Sequence, residues 1–254
     1  KEDEERLFKL KGDLAHYHKL LHSSLPRELV LGLEEISKLK VPPHMKVYGP
    51  LVDLINLEDS YLTPVEVTAG ISLFHVVVDT DETAAWVLSQ LFNARNGRVT
   101  CIPFNKLTPK ELSDDVVAAL GERGIPLLKA VNPTDVVFMP AIKQLFGRMV
   151  LCPNLELAKQ LSHDLRVACV TLDGDQVNVK GAMTGGFVDT KSSRLRNAFK
   201  IRKLLADFQA LEAAISASST MSAQQEERVT RAIKEATECE RLRNEALYAF
   251  ETFA

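Results

Sequence analysis

The sequence lacks long apolar runs, abundant glycine or proline, and paired cysteines. No window in its 254 residues approaches the roughly 18 consecutive apolar residues that a membrane-spanning helix needs. The charged N-terminus, Lys1 to Glu5, lacks the apolar core of a signal peptide and an initiator methionine, so we expect a segment of a longer chain. Only 12 glycines and 11 prolines accompany 46% hydrophobic residues, which excludes collagen-like, low-complexity and disordered proteins.

Site chemistry is also sparse. The four cysteines are Cys101, Cys152, Cys169 and Cys239. They form no CxxC pair and no disulfide framework, so we expect free thiols in a reducing compartment. His18 and His22 lie one helical turn apart without a third ligand, so we predict neither a metal site nor a cofactor. No Gly-x-Ser-x-Gly motif or other catalytic constellation occurs, and the sequence therefore does not predict an enzyme.

Near the start of the chain, apolar residues recur at alternating spacings of three and four: Leu7, Leu10, Leu14, Tyr17 and Leu21. This is the spacing of the a and d positions of a coiled coil, although one amphipathic helix on a globular surface gives the same pattern. The sequence from Ser23 to Pro26 interrupts the helix, because proline disfavours helical backbone in the residue before it. We assign residues 1–45 to an outgoing coiled-coil arm and its connector.

The middle of the chain, residues 46–194, alternates strand-like and helix-like blocks. Apolar, β-branched runs predict strands over 73–78, 98–102, 148–152 and 167–172, and helical patterns cover 83–94, 133–145 and 154–163. Thr63 to Glu66 predicts a capping box that opens a further helix, which Gly70 ends. This alternation predicts an α/β domain that is large enough for its own core.

The last part, residues 195–254, is predicted to be helical again. The 3-and-4 spacing returns at Ile201, Leu204, Phe208, Leu211 and Ile215. A Ser-rich stretch from Ser216 to Ser222 weakens this pattern, and we assign residues 195–254 to a returning coiled-coil arm. Two heptad helices that flank one globule are able to pair antiparallel.

Glycines cluster after the last predicted strand, at Gly174, Gly181, Gly185 and Gly186. A nucleotide- or phosphate-binding loop needs lysine directly after its second glycine, but Phe187 stands there and Lys191 comes too late. The dinucleotide fingerprint G-x-G-x-x-G does not occur either. On spacing alone, two interpretations stay open: a plain hairpin with loose turns, or a glycine-lined edge to which a second subunit adds a strand.

A basic segment follows the glycines directly. It contains no acidic residue, and its cations are Lys191, Arg194, Arg196, Lys200, Arg202 and Lys203. The formal net charge of the chain is −3, so any contact with nucleic acid must come from such a local patch. A solvated helix start is the simpler interpretation of each single residue.

Several of these segments together resemble a known family. The spacing of Gly174, Gly181 and Gly185-Gly186, between an α/β globule and a returning heptad helix, resembles the hinge of structural maintenance of chromosomes (SMC) proteins. Upstream, residues 47–54 resemble the hinge opening, and residues 65–70 with 73–78 resemble its first helix and strand. Within the family, residues 181–195 are most similar to a cohesin subunit, and residues 102–107 and 172–177 agree with that assignment.

The resemblance implies an α/β hinge fold of two pseudo-similar lobes, flanked by antiparallel coiled-coil helices. It implies a heterodimer with the hinge of the other cohesin SMC subunit, in the nucleus and on chromosomes. The implied partner interface comprises Gly174, Gly181, Thr184, Gly185, Gly186 and Phe187. The implied surface for weak, sequence-independent DNA binding comprises Lys191, Arg194, Arg196 and Lys200.

The resemblance also implies that this segment is not an enzyme. ATP hydrolysis in the family belongs to head domains at the far ends of the arms, and no Walker A string occurs here. An α/β nucleotide- or phosphate-binding domain that uses the glycine-rich loop is the alternative function. A homodimeric hinge, as in prokaryotic relatives, is a third alternative, and the similarity of residues 181–195 to the cohesin type argues against it.

Overall fold

The computed structural model describes residues 2–253, except for the side chains of residues 2, 4, 191, 219, 222, 223 and 244–253. The chain divides into two compact units. One unit comprises the first 13 residues and the chain from Leu204 onward, and the other is Leu14–Lys203. The second unit contains all of the β-structure described below.

Eight α-helices and ten strands are found among the described residues. In chain order they are α1 (Glu2–Ser24), α2 (Arg27–Lys38), β1 (Val47–Pro50), β2 (Ile55–Asn56), α3 (Leu62–Ala69), β3 (Val76–Val78), α4 (Asp81–Ala94), β4 (Cys101–Pro103), α5 (Asp114–Leu120), β5 (Ile125–Pro126), β6 (Asn132–Pro133), α6 (Met139–Phe146), β7 (Met149–Cys152), α7 (Leu155–Leu165), β8 (Ala168–Thr171), β9 (Gln176–Val177), β10 (Met183–Thr184) and α8 (Arg194–Phe253). Short 3₁₀ turns connect several of them.

The unit Leu14–Lys203 contains two lobes with the same core topology. In the first lobe, β1 is antiparallel to β3, and α4 leads from β3 to the parallel strand β4. In the second lobe, β5 is antiparallel to β7, and α7 leads from β7 to the parallel strand β8. The second sheet continues through β9 to β10, so its order is β10-β9-β8-β7-β5, whereas the first sheet ends at β4.

The two crossover helices also begin and end alike. The Thr80 hydroxyl accepts the Thr83 N–H at 3.2 Å at the start of α4, and the Asn154 side chain accepts the Leu157 N–H at 2.9 Å at the start of α7. Both helices end at an arginine in the left-handed region, Arg95 with φ 50° and Arg166 with φ 52°. These shared caps support an internal duplication of the βαβ unit.

Apolar residues form one large core and one smaller core. The large core runs through both lobes, from Val76 in the first to Val170 in the second, and it includes Leu195 at the root of α8. The smaller core lies in the second lobe, between α7 and its sheet, around Leu161 and Val150. The first lobe therefore depends on packing that it shares with its neighbour, while the second lobe also has packing of its own.

The structure corrects two local predictions and shows one predicted helix to be continuous. Helix α3 begins at Leu62, so Thr63 lies inside the helix and the predicted capping box is wrong, although the helix ends before Gly70 as expected. The predicted helix 133–145 starts only at Met139, because residues 132–133 form β6 with a 3₁₀ turn after it. Helix α8 continues through Ser216–Ser222, and the Thr220 hydroxyl there donates to the carbonyl of Ala217 at 2.8 Å.

Candidate interface and nucleic-acid surface

The glycine hairpin, defined here as residues 174–187, consists of β9, a tight turn and β10. The Asn178 side chain organises the turn by accepting the N–H groups of Lys180 at 2.8 Å and Ala182 at 3.0 Å. Gly181 closes the turn at φ 82°, and its N–H donates to the Asn178 carbonyl at 2.9 Å. A positive φ of this size favours glycine, so the local turn geometry accounts for this residue.

The outer part of the hairpin is open to solvent. Every residue from 181 to 190 is exposed, with Phe187 at 95% and Met183 at 56% of their full surface. A side chain built on Gly181 or Gly186 would meet no atom within 4 Å, and Gly186 has φ 138°. Thr184 is also exposed and forms the outer strand together with Met183.

The other two glycines of the predicted interface support the hairpin from inside. Gly174 is buried, and a Cβ there would lie 3.1 Å from Thr63 and 3.4 Å from Val188. A Cβ on Gly185 would overlap the carboxylate of Asp175. The cluster therefore contains inward-facing glycines that allow close packing and outward-facing positions that leave a free edge.

Strand β10 differs from the other edge strands of the two larger sheets. Strands β1, β4 and β5 each contain a proline, namely Pro50, Pro103 and Pro126. Proline lacks an N–H and blocks further strand pairing at that residue. Strand β10 has none, and its exposed side chains include Met183.

A cavity of about 440 Å³ lies behind the hairpin. An anion in this cavity would bind at the N-terminus of α8, but the carboxylate of Glu66 already lies there. Glu66 of α3 accepts the N–H groups of Arg194 at 2.8 Å and Leu195 at 3.4 Å, and also the hydroxyl of Ser193. The N-terminus of a helix binds phosphate through such N–H groups. Because Glu66 fills this position in α8, and Asp175 accepts the Gly186 N–H at 3.2 Å, the site disfavours a phosphate ligand.

The basic segment divides between two environments. The guanidinium of Arg194 lies 3.7 Å from Glu66, and Arg202 donates to the backbone carbonyls of Asp53 and Ile55. Arg202 also stacks on the ring of Phe199, 4.6 Å from its centroid. These two arginines hold the root of α8 against the α/β body.

Three other cations face a second cavity of about 590 Å³ between α1 and α8. Arg196, Lys200 and Lys203 line it together with His16 and Tyr17, and Asp59 adds one carboxylate. All three cations are exposed. The C-terminal turns of α1 and the first turns of α8 meet at this cleft.

Sequence reasoning placed the DNA-binding residues in one group that the structure divides. The side chain of Lys191 lies outside the described residues. Arg196, Lys200 and Lys203 follow helical spacing of four and three, which brings them onto one face of α8. The same spacing in the sequence could have added Lys203 to the predicted DNA-binding residues. It could also have removed Arg194, which lies two residues before Arg196 and therefore on a different face of the helix.

Other kinds of site were also sought. Within residues 2–253, no group of three or more His, Cys, Asp or Glu side chains is arranged to hold a metal ion. None of the helices described combines the length and the apolar character that a bilayer-spanning segment requires. Burial raises the pKa of the Cys101 thiol on β4 to about 11, so this thiol stays protonated and weakly nucleophilic at neutral pH.

Comparison with known proteins agrees with this geometry. The profile of the family described as "SMC proteins Flexible Hinge Domain" matches residues 44–162. Structural maintenance of chromosomes protein 3 of Arabidopsis thaliana is 38% identical over 177 residues, which cover 69% of this chain and 14% of that protein. The chain spans 12 to 17% of the length of this and two other curated relatives.

Solved structures give the same result at the level of the fold. A structure described as "Folded elbow of cohesin" superposes with a TM-score of 0.71 at 27% identity, over 93% of this chain and 34% of that one. An asymmetric dimer of the Geobacillus stearothermophilus SMC hinge domain superposes with a TM-score of 0.59 at 26% identity, over 85% of this chain and 96% of that one.

Two lobes of one topology, a glycine hairpin and helices that flank them define an SMC hinge domain, and the chain belongs to this family. The predicted α/β hinge fold with antiparallel flanking helices is confirmed. Within the family, the chain is similar to the third SMC subunit, as the resemblance of residues 181–195 indicated.

Proposed function

We propose that this chain is the heterodimerisation hinge of a cohesin SMC subunit, and that its partner is the hinge of the other cohesin SMC subunit. The hinge proper is residues 46–194, between arms formed by 1–45 and 195–254. Its role is structural: it joins two arms into a ring on chromosomes in the nucleus and catalyses no reaction. The similarity to Structural maintenance of chromosomes protein 3 and to a cohesin structure supports this assignment.

The observation that carries the proposal is the open edge at β10. This strand pairs with β9 on one side only, its residues are exposed, and no proline blocks it. Gly181 and Gly186 flank it and have open space around them, so another backbone is able to approach closely. An exposed edge of this kind pairs with a strand of another chain.

The first lobe offers a complementary edge at Cys101, although Pro103 blocks pairing two residues further along β4. Its β4 occupies the place that β8 has in the second lobe, but no β9 or β10 follows it among the described residues. The Val76 N–H bonds to the Thr100 carbonyl at 2.9 Å, so alternation along the strand turns the backbone groups of Cys101 outward. A glycine hairpin from the partner's second lobe would extend this sheet.

The pairing is tested with Met183→Glu combined with Phe187→Glu. Both side chains are exposed, so the variant should fold, and two buried carboxylates should weaken association by about 100-fold or more. Sedimentation velocity with the partner hinge measures the association. Thr108→Glu combined with Gln160→Glu adds the same charge at exposed positions outside the hairpin and serves as the control. Equal association of both variants would refute the proposed interface.

We further propose that the hinge binds DNA weakly and without sequence preference, through the predicted residues Lys191, Arg194, Arg196 and Lys200. Arg196, Lys200 and the added Lys203 are central, because they lie together on an open cleft with no ion pair among the described residues. Arg194 already contacts Glu66 and contributes less. Cations in such an arrangement neutralise backbone phosphates.

The salt dependence of binding tests this role. Arg196→Glu combined with Lys200→Glu should weaken binding to a duplex of random sequence and should lower the slope of log K against log salt by about 2. Lys110→Glu combined with Lys129→Glu changes the net charge equally at other exposed positions. If this control shows the same loss and the same slope, only the global charge matters and the cleft has no specific role.

A further inference from the structure

Helix α8 carries a buried side-chain amide that has no hydrogen-bond partner. Asn197 is 4% exposed, and its amide nitrogen Nδ2 finds no acceptor within the part of the chain that the structure describes. One other buried side-chain polar atom among these residues shares this property, the Oγ1 atom of Thr68 on α3. A buried donor without an acceptor destabilises a fold, so its presence calls for an explanation such as a ligand.

The position of Asn197 distinguishes it from Thr68. Asn197 lines the cleft of about 590 Å³ between α1 and α8, whereas Thr68 does not. Its neighbours in the wall of this cleft are Arg196, Lys200 and Lys203, which follow one face of α8. Asn197 therefore adds a neutral donor to a group of cations.

The charges of this cleft favour an anion. The three cations stand against one carboxylate, that of Asp59, and all four side chains are exposed. Leu62 and Phe199 add apolar parts to the wall. A cleft that has an excess of one charge and apolar walls concentrates ions of the opposite charge, and its volume is in the range of small-molecule sites.

The cavity behind the glycine hairpin shows the opposite arrangement. There the carboxylates of Glu66 and Asp175 accept the N–H groups of Arg194 and Gly186. The chain itself satisfies those donors, while the amide nitrogen of Asn197 has no acceptor among the described residues. We therefore expect an anion in the cleft between α1 and α8, and not behind the hairpin.

We propose that this cleft binds a compact polyphosphate group. Arg196, Lys200 and Lys203 neutralise its charge, and Asn197 donates a neutral hydrogen bond to one phosphate oxygen. The χ2 torsion of an asparagine is soft, so the amide is able to turn its N–H groups toward the cleft. The inference rests on the cleft proposed above for DNA and defines its chemistry further, because consecutive phosphates of a DNA strand and a free polyphosphate present the same groups.

Tripolyphosphate tests the site without DNA. Isothermal titration into the 254-residue chain at low salt should show one bound molecule per chain. Asn197→Leu removes the unpartnered donor and keeps a similar side-chain volume, so the melting temperature should stay equal or rise, while tripolyphosphate should bind about tenfold more weakly. Because this variant removes no cation, the slope of log K against log salt should not change.

Two further variants serve as controls. Thr68→Val removes the other unpartnered atom, outside the cleft, and should leave the affinity unaltered. Asp59→Asn removes the carboxylate of the cleft at an exposed position and should strengthen binding by about threefold. If Asn197→Leu fails to fold, Asp59→Asn decides the question, because an unaltered affinity would place the anion outside the cleft and overturn the proposal.

Failure of this inference is distinguishable from failure of the proposed DNA binding. If tripolyphosphate does not bind, or binds wild type and Asn197→Leu equally, the polyphosphate site is wrong even where duplex DNA still binds. If tripolyphosphate binds as expected and a duplex of random sequence neither binds nor displaces it, the site is supported and the DNA proposal fails. Lower stability of Asn197→Leu at unchanged affinity would show that the amide is only structural, which also overturns the inference.

Discussion

The two lobes show how one βαβ unit carries two different roles within a single chain. Both build a parallel strand pair around a crossover helix with the same start and the same end. The second lobe adds β9 and β10 and exposes a free hairpin edge, whereas the first lobe ends its sheet at β4 and exposes apolar side chains on α4. The shared features therefore maintain the fold, and the differences leave each lobe with its own exposed surface.

The largest expected difference between the lobes lies in their cores. Leu91→Ala and Leu161→Ala each shorten a buried leucine, one on α4 and one on α7, and each should lower the free energy of unfolding by about 2–5 kcal/mol. Leu91 belongs to the core that both lobes share, but Leu161 belongs to the smaller core of the second lobe. Hydrogen exchange should therefore show wide loss of protection for Leu91→Ala and loss confined to the second lobe for Leu161→Ala. Equal loss in β3 for both variants would show that the smaller core is not separate.

The helix starts should behave alike, with a smaller effect. Thr80→Ala and Asn154→Ala each remove a side chain that accepts a backbone N–H, and each should destabilise the protein by about 1 kcal/mol in denaturant unfolding. Ser113→Ala is the control, because Ser113 precedes α5 without a side-chain capping bond and should cost little. A cost at one cap that is more than twice the cost at the other would break the equivalence of the lobes.

The helix ends give the smallest effect. Arg95 and Arg166 hold a left-handed backbone that glycine adopts without steric strain, so Arg95→Gly and Arg166→Gly should each stabilise the protein by about 0.5 kcal/mol. Arg166→Ala keeps the Cβ strain and should give no gain. Thermal unfolding measures all three variants. A gain for alanine equal to that for glycine would mean that the arginine side chain, rather than its backbone, is unfavourable.

Local patterns predicted the elements that local interactions decide. The buried run Val76–Val78 and the helix that starts after Asn154 are visible in the sequence, because burial on both faces and helical spacing involve near neighbours. The two-residue strands β9 and β10 gave no periodic signal, so only the glycine spacing pointed to them. The sequence did not show that Glu66 binds the start of α8. Its partners Ser193 and Arg194 lie 127 and 128 residues away in the chain, so no local pattern connects them.

The candidate sites follow the same division. Helical spacing was sufficient to place Arg196 and Lys200 on one face, but it did not show that Arg202 bonds to carbonyls of a distant loop. The glycine spacing left two interpretations open, a hairpin with loose turns or a docking edge, and it did not separate buried Gly174 from open Gly186. The sequence predicted a helix over 83–94 but did not show that Leu88 and Phe92 are exposed on it.

The attachment of α8 has a mechanical consequence. Its first turn is fixed by the carboxylate of Glu66 and by Leu195, which is fully buried in the core that joins the lobes. A force that pulls along this helix would therefore load α3 and the shared core before it reached the exposed hairpin. Tension along the helix would thus be carried first by a part-buried carboxylate contact and by the core, and not by the solvent-exposed strands.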